Sequence, residues 1–400
     1  MKKFEFYAPT KILFGPNSEK QVGDIIRKLE KKSILILYGG GSVIKNGLLA
    51  NVEESLTSAG ISYIIKGGVK PNPRLDFALE AIELAKAEQI DFVLAVGGGS
   101  VIDTAKAVAL GAANPEDYVW DYYLGKKIPN KTFGVGVVLT LPATGSETSI
   151  STVLTKKDES LKTSFNDDIN RPVFAILNPE VTFSLPRYQV SCGIVDIMMH
   201  TLDRYFTAIE GNETTDQIAE AILRVTIDSG SKAMRNQQDY NSMSELMWCG
   251  SLSHNGITGL GSVPDFAPHK LSHPLSAIYD VAHGASLSAI WGSWARYVYL
   301  SNPERFARYG KNVWDIEEQN LVKAAELAIR KTELFFESIE MPVSIPELKI
   351  GTLTNYDLQV LADVCSQKNS LTIGQFRGLN SADMFNIYQM ANNTNGREFE

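Results

Sequence analysis

Several features are scarce in this sequence, and each scarcity argues against a class of protein. Only three cysteines occur among 400 residues, and Cys192, Cys249 and Cys365 are far apart. That number and spacing argue against a disulfide framework or a zinc knuckle, so we expect reduced thiols. Met1–Lys3 leads into Phe4–Tyr7 instead of an apolar signal core, and no later stretch is apolar enough to span a bilayer. We therefore expect a soluble, cytoplasmic protein without a membrane partner.

Positive charge is in deficit as well. The chain has 38 Lys and Arg against 46 Asp and Glu, a formal charge of −8, whereas nucleic-acid binding normally requires a basic surface. No nucleic-acid partner is expected. What the sequence does have is length and apolar content. Its 400 residues, 44% of them hydrophobic, exceed the roughly 250–300 residues at which single cores usually divide, so we expect two domains.

The two halves of the chain differ in their hydrophobic periodicity. In the first half, apolar runs typical of strands alternate with amphipathic stretches, which is the pattern expected of βαβ units. The second half has apolar residues at helical spacing instead, for example over 216–233 and 322–339. We predict an α/β domain over residues 1–185 and an all-helical domain over residues 186–400. The predicted strands are 34–38, 63–65, 92–96, 134–139 and 173–177.

A Gly-Gly-Gly-Ser turn follows two of these strands, at Gly39–Ser42 and Gly97–Ser100. Glycines at a strand-to-helix turn let the backbone and the first helical N–H groups approach an anion, as in pyrophosphate binding. The spacing departs from the usual dinucleotide fingerprint because Ile102 occupies the place of its third glycine. A tight turn that binds nothing is the alternative. A third loop, 140–149, is rich in hydroxyl groups and also follows a strand, so we expect it to contact a cofactor.

The first glycine turn also predicts which cofactor is used. Enzymes that select NAD usually place a carboxylate near the adenine ribose, whereas a small or hydroxyl-bearing residue leaves room for a 2′-phosphate. Tyr38, Gly39 and Ser42 provide no carboxylate. We therefore predict that NADP(H) is favoured over NAD(H).

The histidines predict a metal site. Asp196 and His200 are four residues apart, so on a helix both side chains lie on one face. His269 and His273 repeat this spacing, and His283 follows ten residues later. Only five histidines occur in the chain, so such an arrangement is unexpected by chance. The alternative for any single one is an ordinary buried histidine.

The position of one proline and the chemistry of the candidate ligands refine the predicted metal site. Pro274 argues against one continuous helix from His269 to His283, so His283 is expected on a separate segment. Imidazoles with one carboxylate suit either zinc or ferrous iron, with one position open for a substrate oxygen. The cation would favour the alkoxide of an alcohol, which expels hydride, and in reverse it would polarise an aldehyde carbonyl. His273 is not needed as a ligand, and we expect it to carry the proton.

Taken together, these segments resemble the iron-containing, or group III, alcohol dehydrogenase family, in particular its butanol dehydrogenases and broad-range aldehyde reductases. The similar segments occur in order from near the start of the chain to beyond the last histidine. Two other places, Asn178 and Cys192–Ile194, depart from the commoner family pattern without removing a ligand. The segments that carry the resemblance are Tyr38–Ser42, Val69–Pro73, Gly97–Lys106, Leu139–Glu147, Asp196 with His200, His269–His273 and Leu275–Gly284.

The resemblance implies an N-terminal dinucleotide-binding domain, a C-terminal helical metal domain and an active site in the cleft between them. It also implies a homodimer in which residues 4–14 contribute to the interface. The catalytic residues expected are His273 and Asp103. The implied metal ligands are Asp196, His200, His269 and His283. The implied cofactor contacts are Gly39, Gly40, Ser42, Asn72, Gly98, Gly99, Ser100, Asp103, Thr140, Thr144, Ser149 and Lys162.

The predicted activity is the reversible NADP(H)-linked interconversion of primary aliphatic alcohols and aldehydes. One alternative is a metal-dependent lyase similar to dehydroquinate synthase, which uses nicotinamide transiently. That enzyme usually has a glutamate ligand and basic residues for a phosphorylated substrate, whereas here the first ligand is Asp196 and residues 257–286 contain only Lys270 as a cation. Another alternative is a nucleotide-binding module without catalysis, which would keep the glycine turns and lose the metal ligands.

Overall fold

The computed structural model describes residues 1–393, and these form two compact units. The first, here called the sheet unit, comprises Tyr7–Pro186 and Gln237–Asn255. The second, the helical unit, comprises Met1–Phe6, Arg187–Asn236 and the chain from Gly256 onward. The main division follows Pro186, whereas the sequence-based division followed residue 185. Two short segments, 1–6 and 237–255, are grouped with the unit that the sequence pattern did not assign them to.

The sheet unit is built on six parallel strands in the order β1-β8-β5-β4-β2-β3. The five strands predicted from the sequence are β2, β3, β4, β5 and β8. Buried parallel strands read as continuous apolar runs because helices cover both faces of the sheet. A separate antiparallel ribbon pairs β6 with β7. The bounds are β1 (Lys11–Phe14), β2 (Ser33–Tyr38), β3 (Ser62–Lys66), β4 (Phe92–Gly97), β5 (Val135–Leu139), β6 (Ser151–Lys156), β7 (Leu161–Asn166) and β8 (Phe174–Leu177).

Helices enclose a core on each face of this sheet. Alternate residues of β2 point to opposite faces, so Ile34 and Ile36 lie in one core while Leu35 and Leu37 lie in the other. Helices α4 and α5 cover the second core, and α1 and α3 cover the first. The helices before the main division are α1 (Val22–Lys28), α2 (Ser42–Lys45), α3 (Leu48–Ser58), α4 (Leu75–Ala87), α5 (Gly99–Ala113) and α6 (Trp120–Tyr123).

The rest of the described chain is helical, as its periodicity predicted. All of its helices belong to the helical unit except α9, which belongs to the sheet unit. Among the described residues, none of the helices combines the length and apolar character needed to cross a membrane. The bounds are α7 (Arg187–Tyr205), α8 (Glu213–Arg235), α9 (Tyr240–His254), α10 (Ala267–Tyr279), α11 (His283–Val298), α12 (Pro303–Trp314), α13 (Leu321–Ser338), α14 (Asn355–Cys365) and α15 (Ser381–Ala391).

Helix α10 contains a proline in its interior. Pro274 has no N–H to donate to the carbonyl of Lys270, four residues earlier. The thiol of Cys365 donates to that carbonyl at 3.4 Å, and the hydroxyl of Tyr388 donates to the carbonyl of Leu271 at 2.7 Å. The Cys365 side chain thus replaces the hydrogen bond that Pro274 cannot make, and the Tyr388 side chain adds a bond to the neighbouring carbonyl. The helix continues through the proline and ends at Tyr279, so His283 begins a separate helix, as expected.

Candidate functional site

Three histidines converge on one carboxylate in the helical unit. Asp196 and His200 lie one turn apart on α7, His269 lies in the first turn of α10, and His283 begins α11. Oδ1 of Asp196 is 3.5 Å from Nε2 of His200, and 3.9 Å from Nε2 of both His269 and His283. All four predicted ligands are therefore brought together from three helices.

The chemistry of this cluster fits a divalent metal. Asp196, His200 and His269 are buried, and each offers one ligand atom within 4.8 Å of the others. Nε2 of His269 is buried and makes no hydrogen bond to any described residue, although Nδ1 of the same ring is bonded. Burying a nitrogen lone pair without a partner is unfavourable. A cation bound by these side chains would satisfy it, and nitrogen–oxygen ligand sets of this kind suit iron or zinc.

The two remaining histidines lie in different surroundings. His273 is half-buried on α10, and its ring centroid is 5.9 Å from that of His283, so it lies beside the cluster. His254 belongs to the sheet unit, where Nδ1 lies 2.5 Å from the carbonyl oxygen of Thr144. The structure therefore gives His254 a contact with the hydroxyl-rich loop, which its isolated position in the sequence did not indicate.

Sequence reasoning missed Asp203, which contacts a predicted ligand. Oδ2 of Asp203 lies 2.5 Å from Nδ1 of His269, and both side chains are buried. Asp203 follows Asp196 by seven residues and His200 by three, so all three lie on one face of α7. That spacing was visible in the sequence and could have indicated the residue.

A second missed residue, Phe266, packs against the cluster. Its ring centroid lies 5.5 Å from that of His269 and 6.5 Å from that of His200. The guanidinium of Arg204 lies 4.9 Å from the same ring. The backbone of Phe266 is in the left-handed region, with φ of 55°, which is strained for a bulky residue. No local sequence pattern indicates this conformation.

A glycine brings α11 close to α7. A Cβ atom at Gly284 would lie 2.2 Å from the carbonyl oxygen of Cys192, one turn before Asp196. The small residue after His283 therefore permits the approach that places His283 near Asp196. Burial raises the pKa of the Cys192 thiol to about 12, so this cysteine is not a reactive thiolate at neutral pH.

In the sheet unit, the two Gly-Gly-Gly-Ser turns lie side by side. Strands β2 and β4 are adjacent and parallel, so the turns that follow them, at 39–42 and 97–100, share one edge of the sheet. From β2 the chain passes to β3 on one side and later to β4 on the other. The turns thus flank the point where the strand order reverses, which is where open α/β sheets bind their ligands.

The predicted cofactor residues differ in exposure. Gly40 and Ser42 are exposed, whereas Asn72 and Lys162 are buried and joined by a hydrogen bond of 3.0 Å from Nζ to Oδ1. Ser149 is wholly buried, and its hydroxyl accepts the N–H of Ser151. The other predicted contacts in the turns and the loop are partly exposed: Gly39, Gly98, Gly99, Ser100, Asp103, Thr140 and Thr144.

A buried lysine supports the hydroxyl-rich loop through hydrogen bonds. Nζ of Lys106, on α5, donates to the carbonyl oxygens of Ser146 at 2.7 Å, Ser149 at 3.2 Å and Ser151 at 2.7 Å. The side chain is almost entirely inaccessible, and burial lowers the pKa of the Lys106 ammonium to about 8. The position of Lys106 after the second glycine turn did not by itself indicate that this lysine supports the loop.

Asp103, the other predicted catalytic residue, is bonded to the same loop. Oδ1 accepts the hydroxyl of Ser146 at 2.6 Å, and Oδ2 accepts the N–H of Val153 at 3.2 Å. Burial raises the pKa of the Asp103 carboxyl, against the opposing effect of the nearby Lys106 charge. One oxygen of this carboxylate thus holds the loop between β5 and β6, and the other holds the first half of β6.

Comparison with known proteins gives matches over nearly the whole chain. The sequence profile of "iron-containing alcohol dehydrogenase" matches residues 9–179. The profile of the "Fe-containing alcohol dehydrogenase family, C-terminal" matches residues 190–392. The two matched regions contain the glycine turns and the histidine cluster, respectively.

Individual relatives are similar over most of their length. The NADH-dependent butanol dehydrogenase A of Clostridium acetobutylicum is 35% identical over 391 residues, which are 97% of this chain and 99% of that protein. The NADPH-dependent aldehyde reductase YqhD of Escherichia coli is 34% identical over 350 residues, 87% of this chain and 89% of that protein. The crystal structure of NADH-dependent butanol dehydrogenase A from Thermotoga maritima matches with a TM-score of 0.94 at 33% identity, covering 98% of this chain and 99% of that one.

Proposed function

Because the chain belongs to the iron-containing alcohol dehydrogenase family, we propose that it interconverts primary aliphatic alcohols and their aldehydes, with NADP(H) as the favoured cofactor. The chain is an NAD(P)-dependent alcohol dehydrogenase, with that family's parallel-sheet N-terminal domain and helical C-terminal domain. The convergence of three imidazole nitrogens on Oδ1 of Asp196 carries the proposal. We assign residues 1–185 to cofactor binding and residues 186–400 to metal and substrate binding.

The proposed metal ligands are Asp196, His200, His269 and His283. A divalent iron or zinc ion held by them would lower the pKa of an alcohol hydroxyl and polarise an aldehyde carbonyl. His273 lies half-buried beside His283, and we propose that it accepts the hydroxyl proton and passes it to solvent.

The proposed cofactor site is the edge of the sheet where the two glycine turns meet. Exposed backbone at Gly40 and Ser42 and the first turn of α5 can face the phosphates. One carboxylate oxygen of Asp103 is engaged by the loop and the other by β6, so we propose that Asp103 acts on the cofactor by holding residues 140–153 in place. Asn72 and Lys162 are joined by a hydrogen bond, and we propose that this pair shapes the same site.

The proposed preference for NADP(H) rests on the absence of a carboxylate at residues 38–42. A 2′-phosphate on the adenine ribose would meet no negative side chain in that turn. The relatives do not decide the matter, because one is named NADH-dependent and another NADPH-dependent at nearly equal identity.

We also propose a homodimer. Strand β1 is at the edge of the sheet, where unpaired backbone groups can receive another strand. Phe4, Phe6 and Tyr7 precede it, and each of these aromatic side chains is about half exposed. An apolar segment of this kind is typical of a surface that becomes buried on association. Sedimentation at several protein concentrations tests this, and a monomer at all of them contradicts it.

A single set of assays tests the activity. The purified chain is analysed for bound metal and assayed on a series of straight-chain aldehydes with NADPH and with NADH. We expect about one equivalent of iron or zinc, reduction with one NADPH consumed per aldehyde, and slower turnover with NADH. Asp196→Asn is the inactive control, since it removes the ligand charge. A chain that holds no metal and reduces no aldehyde contradicts the proposal, whereas equal or faster turnover with NADH contradicts only the cofactor preference.

A further inference from the structure

Asp203 lies on the face of α7 that carries Asp196 and His200. Its position is that of a residue that supports a metal ligand, not that of a ligand itself. Its Oδ2 is 2.5 Å from Nδ1 of His269, the nitrogen on the far side of the ring from the cluster. The Asp203 side chain is 1% exposed, so this contact is shielded from water. We infer that Asp203 is a positioning residue that holds His269 ready for metal binding. The inference rests on the proposed function.

The contact determines which nitrogen of His269 carries the proton. A carboxylate can only accept hydrogen bonds, so Nδ1 of His269 must be the donor. Nε2 is then unprotonated and has its lone pair free for a metal. This nitrogen points into the cluster, 3.9 Å from Oδ1 of Asp196, and has no hydrogen bond to any described residue. Asp203 therefore sets both the tautomer and the rotation of the ring.

The backbone of Asp203 holds the start of α10 as well. Its carbonyl oxygen accepts the N–H of Asp265 at 2.7 Å. The carboxylate of Asp265 accepts the N–H groups of Ala267 at 3.1 Å, Gln375 at 2.5 Å and Phe376 at 2.7 Å. Asp203 thus contacts this region in two ways. Its main chain anchors the segment that leads into α10, and its side chain anchors His269 of that helix.

If the contact between Asp203 and His269 only stabilised the fold, its loss would have a different measurable effect. Losing a buried bond lowers the free energy of unfolding wherever the bond lies, whereas losing a positioning contact selectively weakens metal binding. Glu333 provides a matched control, because it is also a buried carboxylate, 1% exposed, and is paired with Arg296 at 2.5 Å. Changing Glu333 removes a charge of the same kind without touching the histidine cluster.

Cobalt(II) is a suitable probe because its visible absorption reports the ligands around it. The metal-free full-length chain, Asp203→Asn and Glu333→Gln are titrated with Co²⁺ in competition with a chelator of known affinity. We expect one site in each. We expect about 10- to 100-fold weaker binding in Asp203→Asn, the range found for supporting residues of metal ligands. Glu333→Gln should bind within about twofold of the natural chain, even though its melting temperature falls.

The other outcomes separate the inference from the proposed function. Asp203→Asn binding within twofold of the natural chain, or Glu333→Gln losing as much affinity as Asp203→Asn, overturns the positioning role while leaving the metal site intact. Failure of the natural chain to bind Co²⁺ overturns both. In a His269→Ala background the effect of Asp203→Asn should disappear, because Asp203 acts through that ring.

A measurement on the natural chain avoids any folding defect of the variants. The chain has only five histidines, so ¹⁵N labelling of histidine gives few resonances, and the signals of His269 are those lost in His269→Ala. We expect the metal-free protein to show His269 as the Nδ1–H tautomer, with its proton retained by the bond to Asp203. A predominant Nε2–H tautomer would overturn the inference.

Discussion

At the scale of single residues, Gly284 determines how closely α11 approaches α7. The Cβ of any other residue would lie 2.2 Å from a backbone oxygen of Cys192, and backbone cannot rotate away as a side chain does. The two helices would have to separate. His283 immediately precedes Gly284, so the separation would move this histidine away from the rest of the cluster.

The corresponding variant is Gly284→Ala. Overpacking of this kind costs about 1–3 kcal/mol of unfolding free energy, and we expect metal affinity to fall because His283 moves away from Asp196. Urea unfolding and metal titration measure the two effects. Gly378→Ala serves as the control, since its new Cβ would make only an ordinary contact, 3.5 Å from Thr372. Unchanged stability and metal affinity in Gly284→Ala would show that the helices can accommodate the methyl group.

Lys106 leads to a pH prediction. Burial lowers the pKa of Lys106 from 10.5 to about 8 in the folded chain. Between these two values the unfolded chain binds more protons at this position, so the contribution of Lys106 to stability increases as the pH rises through that window. From pH 7.5 to pH 10, the natural chain should gain about 2 kcal/mol relative to Lys106→Met.

The measurement is the free energy of unfolding of both proteins by urea at several pH values. Effects of tyrosines and other lysines cancel in the difference, because both chains contain them. A difference that stays constant across the window, or that falls as the pH rises, would contradict the lowered pKa.

At the scale of elements, α10 is a helix that depends on its neighbours. Pro274 disturbs its internal hydrogen bonds, and side chains of α14 and α15 bond to the carbonyls of Lys270 and Leu271. The helix carries both His269 and His273, so the geometry of the cluster depends on two helices that contribute none of the proposed metal ligands. Residues late in the sequence thereby affect the site without lying in it.

Tyr388→Phe tests this dependence. Removing the hydroxyl takes away its hydrogen bond to the carbonyl of Leu271, which should cost about 0.5–1.5 kcal/mol, and we expect a severalfold loss of metal affinity as α10 shifts. Tyr309→Phe removes another buried hydroxyl, bonded to Thr332, without contacting α10. Calorimetry should give similar destabilisation for both variants. An equal loss of metal affinity in the control would mean that general loosening is responsible.

At the scale of the whole molecule, the proposed metal ligands and the glycine turns belong to different units of the chain. Metal binding should therefore stabilise the helical unit directly. A ligand present at 100 times its dissociation constant stabilises the folded state by about 2.7 kcal/mol. Helices α7, α10 and α11 contain all four proposed ligands and should show the effect most strongly.

Hydrogen exchange with and without metal checks the expectation. Adding the metal should slow exchange in α7, α10 and α11, and a chelator should reverse the change, while β2 and β4 remain unaffected. Asp196→Asn should abolish the response. Protection that spreads equally through the sheet, or that persists in the variant, would contradict a site confined to these helices.

Much of the fold was predictable because local spacing is dictated by backbone geometry. Strands place alternate side chains on opposite faces and helices repeat every 3.6 residues, so apolar patterns revealed the parallel sheet and the helical half. The same geometry made Asp196 and His200 recognisable as a pair. His283 begins a separate helix, as expected, but the break does not lie at Pro274: α10 continues through the proline and ends at Tyr279, before the left-handed residue Asp280.

Contacts between distant segments were decided only by tertiary structure. The strand order that places the two glycine turns side by side, the grouping of α9 with the sheet, and the left-handed backbone of Phe266 have no local signature. The hydrogen bond that His269 donates to Asp203 joins residues 66 positions apart. By itself, the sequence determined the elements and the chemical types of the proposed ligands. Packing decided their convergence, because it depends on how whole helices and strands fit together.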